Sequence, residues 1–152
     1  MKKFLAMLAC IIMALSLVAC GNGAVEERFC DDLAQAEKII GFKLEAPETL
    51  NDSGSRNFRV CGRTLEIMYF SGKVMNGKIS KSDNQENIGA YDYGYTESVI
   101  ISDGGIEYKL CGSENGEKVH LATWTKGKYS YFVLDGNGKS AEEMLDFCKE
   151  IN

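Results

Sequence analysis

Few residues in this 152-residue chain could make or break bonds: one histidine, His120, six cysteines and a scatter of carboxylates. A histidine serves as a general base when a Ser or Cys is aimed at it. His120 sits between Lys118 and Ala122 in strand-like sequence, and no nucleophile-elbow motif occurs, so it reads as a strand histidine. There is no P-loop, no GxGxxG and no CxxC pair. Those absences argue against phosphate-cradling, dinucleotide-binding and thioredoxin-type chemistry, and a single His leaves zinc short of ligands. Asp135-Gly136-Asn137-Gly138-Lys139 has the outline of a calcium loop, but Lys139 falls where an oxygen ligand is needed and Ser140 where the loop needs Gly. A turn leading to a helix cap accounts for the same residues. No catalytic residue, metal or cofactor is expected.

Aromatic side chains are the better candidates. Tyr91, Tyr93 and Tyr95 alternate, which on a strand would line three phenols along one face. Trp124 lies near Tyr129 and Tyr131 across one hairpin. Such a row, if exposed, is a platform for sugar rings or for the apolar residues of a partner protein. The competing use of large side chains with a polar tip is to cover a sheet face.

The elements that must hold these residues follow from periodicity. Val25, Phe29, Leu33, Ala36 and Ile40 recur at helical spacing and predict a helix over 25–40, stopped by Gly41. From Asn57 the period becomes two, and hairpin turns are signalled at Ser71-Gly72, Ser102-Asp103-Gly104-Gly105, Gly112–Gly116 and Lys126-Gly127. Ser140 with Glu143 is a capping box, and Ala141, Met144, Leu145, Cys148 and Ile151 share one face of a closing helix. The expected class is α+β: a twisted antiparallel β-meander of about six or seven strands, with the N-terminal and C-terminal helices packed on one face.

Lys2 and Lys3 precede an apolar run from Phe4 to Val18 that ends in Leu17-Val18-Ala19-Cys20-Gly21. Its length suits a secretory h-region, and small residues before a Cys at that place resemble the lipobox of bacterial lipoproteins. The resemblance implies that residues 1–19 are removed as a signal peptide and that Cys20 carries the lipid. Two or more acyl chains anchor stably where one does not. Residues 20–25 form the lipidated Cys and a short tether, whose five residues after Cys20 reach at most roughly 17 Å. Residues 26–152 form a single extracytoplasmic domain held at the cell membrane by lipid. The formal charge is −5, and the removed segment takes two lysines and no acid, so the body is more acidic still. With no basic stripe, nucleic acid is excluded as a partner.

In an oxidising compartment, Cys30, Cys61, Cys111 and Cys148 could pair in three ways. Cys61 and Cys111 close matching strand-like runs, while Cys30 and Cys148 fall in the first and last helices. The expected bridges are Cys30–Cys148 and Cys61–Cys111.

Leu65–Tyr69, Lys78–Ser82, Asn87–Tyr93 and Leu121–Tyr131, with the closing helix from Ser140 to Ile151, resemble an uncharacterised domain found in lipoproteins and secreted proteins of Gram-positive bacteria. The resemblance spans most of 38–151 and implies a compact, mostly antiparallel fold. It brings no catalytic residues. Three functions stay open. The first is a non-enzymatic module binding a partner protein or cell-wall glycan. The second is a small envelope hydrolase using carboxylates such as Asp92, Glu97 or Asp103. The third is a carrier of an apolar ligand in a cavity between sheet and helices.

Overall fold

The computed structural model describes residues 26–84, 93–95, 97–112 and 117–152. Among the described residues, eight strands form one antiparallel sheet: β1 (Glu27–Cys30), β2 (Ser55–Cys61), β3 (Thr64–Ser71), β4 (Val74–Ser82), β5 (Glu97–Asp103), β6 (Ile106–Gly112), β7 (Val119–Lys126) and β8 (Tyr129–Lys139). Helix α1 (Leu33–Ile40) follows β1, and α2 (Ala141–Lys149) follows β8. The α+β class is as expected, but the strands number eight, not six or seven.

The additional strand is β1, which replaces the first turns of the expected helix. The Asp32 side chain accepts from the Gln35 backbone N–H at 2.7 Å and so fixes the helix start at residue 33. Upstream of that cap, the backbone of Glu27–Cys30 pairs with β2 instead. Phe29, expected in the helical apolar stripe, is 66 % exposed as a result. At the other end of α1, Gly41 adopts φ 84° and donates its N–H to the Glu37 carbonyl, a conformation that glycine reaches without a Cβ clash. The capping box on α2 is present, with Ser140 and Glu143 bonded reciprocally.

Strand order is β1-β2-β3-β4-β8-β7-β6-β5. This corrects the simple meander. Two four-stranded meanders are joined because the chain crosses from β4 to the far edge and winds back until β8 pairs with β4.

Alternation divides the strand residues between two faces. One face carries Phe58, Ile67, Ile79, Val133, Ala122 and Leu110 as successive register partners. Beside them runs Val60, Leu65, Lys81, Tyr131, Trp124 and Tyr108. Ala36 of α1 and Met144 and Cys148 of α2 close over these rows, so both helices serve one core. Burying each large aliphatic there stabilises by about 1.5–3 kcal/mol. Trp124 belongs to this core: it is 4 % exposed, stacked on Tyr131 at 5.0 Å and tilted on Tyr108 at 5.7 Å. Its expected place on an exposed platform is corrected.

The cysteines are corrected too. All four of Cys30, Cys61, Cys111 and Cys148 are free thiols. Cys61 on β2 and Cys111 on β6 are five strand steps apart in the sheet, about 24 Å along it, against the 4.4–6.8 Å that a disulfide allows between Cα atoms. Cys30 lies on the β1 edge, whereas α2, which carries Cys148, packs on β7 and β8.

Candidate functional site

The sheet face away from the helices is where side chains with chemistry gather. Across β2 and β3, Arg59 faces Glu66, and Lys78 of β4 reaches the same carboxylate diagonally. Arg59 Nε donates to Glu66 Oε2 at 2.7 Å, Lys78 Nζ lies 3.2 Å from Oε1, and Arg59 also reaches Glu27 at 3.3 Å. Glu66 and Lys78 are buried. Burial works against the Arg59 charge, but the Glu66 hydrogen bond and charge outweigh it, so the guanidinium pKa lies above its ordinary value. The Lys78 ammonium also sits 4.9 Å from the centroid of Phe132 and 6.0 Å from that of Tyr93. This ladder neutralises itself and orders the face.

Tyr93 and Tyr95 lie over the same face, one on each side of Gly94 at φ 72°. Tyr93 packs on Phe132 at 5.8 Å, and Tyr95 stacks parallel to His120 at 5.2 Å. Both are half-buried, with Leu121, Phe132 and Leu134 beneath them. They do not sit on a strand. Tyr91 and Asp92 lie outside the described residues, as does Cys20.

His120 Nδ1 is 2.9 Å from the Asp135 carbonyl oxygen. A carbonyl only accepts, so Nδ1 carries the proton and the ring is held as a structural donor. Asp135, fully buried, accepts at Oδ1 from Asn51 Nδ2 (2.7 Å) and from the Asn137 and Gly138 backbone N–H groups, while Lys139 Nζ stands 3.1 Å from Oδ2. The loop that resembles a calcium site is thus a side-chain-capped turn with a lysine as its cation. Among the described residues, no group of three or more His, Cys, Asp or Glu could hold a metal. Burial pushes the thiols of Cys61, Cys111 and Cys148 up, the last to about 12, which disfavours the thiolate a nucleophile needs. Lys81 is likewise structural. Its ammonium donates to the Lys43 carbonyl at 2.7 Å among the rings of Phe42, Tyr129 and Tyr131.

Beyond Phe132 the face opens. Thr123 is the register partner of Phe132. From there a trough of about 680 Å³ extends to the sheet edge, lined by Thr123, Thr125, Ser130, Lys109, Glu107 and Ile100. Sequence reasoning missed it, although its signal was present in the polar alternate positions of β6 and β7, where Glu107, Lys109, Thr123 and Thr125 interleave with buried aromatics. Three hydroxyls, one ammonium and one carboxylate give both donors and acceptors, and Ile100 and Ile106 are among the apolar residues of the lining. Tyr93 stands one strand away. The predicted aromatic residues are therefore split: Tyr93 and Tyr95 lie over this face on the cluster of Leu121, Phe132 and Leu134, and Trp124 turns its ring to the other side. Of the carboxylates considered, Asp103 pairs with Lys149 at 3.0 Å at the end of β5. Compared with known protein families, curated proteins and solved structures, the chain matches none.

Proposed function

We propose that this chain is a lipid-anchored, extracytoplasmic binding module without catalytic activity, whose trough takes a polar, extended ligand of the cell-wall glycan class. The trough carries this reading: it is open, sits on a rigid sheet and is lined by paired donors and acceptors. Among the described residues its lining holds one carboxylate, Glu107, where glycoside hydrolysis uses two. An apolar-ligand carrier would need an enclosed apolar cavity, and the trough is neither. Tyr93, packed on Phe132 on the same face, offers a half-buried ring for a sugar. The lipobox-like Leu17–Cys20 segment supports the location, and resemblance to the Gram-positive domain accords with it. The fold begins within a few residues of Cys20, so the trough would face wall polymer close to the bilayer.

The test titrates detergent-solubilised full chain with soluble peptidoglycan glycan strands by calorimetry. Thr123→Trp fills the trough and is expected to weaken binding by at least about tenfold. Binding that survives this variant unchanged refutes the site. In parallel, label from a palmitate analogue is expected on the native chain and lost in Cys20→Ser; equal labelling refutes the anchor.

A further inference from the structure

The two edges of the sheet are defended very differently. β1 is four residues long and carries Glu27 and Arg28, features that discourage a foreign strand. β5 is seven residues long with no Lys and no Pro, and its register with β6 runs without a bulge, unlike the β3–β4, β6–β7 and β7–β8 pairs. Val99 and Ile100 are 57 % and 65 % exposed and point to opposite faces. An apolar edge of this kind is a template for another strand.

The sequence of β5 says which strand. Glu97-Ser98-Val99-Ile100-Ile101-Ser102-Asp103 is chemically palindromic about Ile100. We propose that two copies of the chain join through antiparallel β5–β5 pairing about a two-fold axis at Ile100, making one continuous sheet. Each residue then meets its own kind: Ile100 faces Ile100, Val99 faces Ile101, and Ser98 faces Ser102. A slip by two residues would set Val99 against Asp103, which fixes the register. At each end Asp103 meets position 97, and the Lys149 ammonium, shared between Asp103 at 3.0 Å and Asp146 at 3.4 Å, stands on the same side of the sheet. One Lys149 per copy thus stands at each acidic junction. Because Ile100 also walls the trough, the two troughs become one groove across the dyad. The pairing does not depend on what that groove binds.

The test measures the mass of the full chain in detergent micelles by light scattering, with the micelle subtracted. Wild type is expected to be dimeric. Ile100→Lys, which puts two ammoniums face to face at an already exposed position, is expected to weaken the dimer by at least about tenfold while the far-UV circular dichroism spectrum stays that of the wild type. In a Cys111→Ser background, oxidation should cross-link Ile100→Cys into covalent dimers. Ser102→Cys alone should not cross-link, because its own copy across the axis is about 13 Å away. A monomeric wild type, a dimer indifferent to Ile100→Lys, or equal cross-linking at positions 100 and 102 would overturn the proposal.

Discussion

Replacing Glu66 by Gln removes the one carboxylate that Arg59 and Lys78 share while keeping its shape. The hydrogen bonds that Glu66 accepts from these two side chains are charge-assisted, and each is worth about 1.5–3 kcal/mol. Arg59 keeps Glu27 at 3.3 Å and stands nearer the rim, so its share is partly retained. Lys78, 5 % exposed, loses its ion pair with Glu66. Breaking a buried pair from one side costs about 3–5 kcal/mol. The retained Glu27 interaction places Glu66→Gln near the lower end, at about 3 kcal/mol, or roughly 10 °C in Tm for a domain of this size. The double change Glu66→Met with Lys78→Met removes both charges and should cost less than Glu66→Met alone, because the buried ammonium goes with its carboxylate. Urea unfolding followed by Trp124 fluorescence measures all three variants. A Glu66→Gln cost below about 1 kcal/mol, or a double variant less stable than the single, would refute the claim that this ladder is a self-neutralised buried unit.

Two further outcomes follow from the packing. A Cβ on Gly112 would clash with the Lys118 carbonyl oxygen, a backbone atom at the β6–β7 bulge, so Gly112→Ala should destabilise by about 1–3 kcal/mol in the same urea assay. Burial raises the Cys148 thiol from an ordinary 9.0 to about 12; the folded chain keeps a proton that the unfolded chain releases. The stabilisation is therefore full below about pH 9 and is lost as pH rises toward about 12, at about 1.4 kcal/mol per pH unit. Cys148→Ala should flatten that slope between about pH 9 and 10, and an unchanged slope would show that another group sets it.

What the sequence made legible was local. Gly41 as a helix stop, the Ser140–Glu143 box and the hairpin turns at Ser71-Gly72, Ser102–Gly105 and Lys126-Gly127 each depend on residues close together in the chain, and each stands where expected, while the turn expected at Gly112–Gly116 lies mostly outside the described residues. The errors came from partners distant in sequence. Glu27–Cys30 continues a helical period, yet Asp32 caps late and β2 offers an open edge, so tertiary pairing overrode the pattern. Trp124 alternates as an outer or an inner residue equally well until its register with Tyr131 is known. The cysteines look paired in sequence, but strand order separates them. The trough was invisible because it forms only when β6, β7 and β8 lie side by side, and none of its residues is chemically unusual alone.

The seam between β4 and β8 has a kinetic consequence. It ties residues 77–82 to 130–135, whereas the other strand pairings join near neighbours within each half. As the chain emerges from its point of synthesis, the first four strands can assemble early. They must then wait, with the inner margin of β4 unzipped, until nearly the whole polypeptide has appeared. Docking of the two halves across that margin should be the late event that sets the folding rate. Until it happens, the nascent intermediate is the species most at risk of sticking to its neighbours.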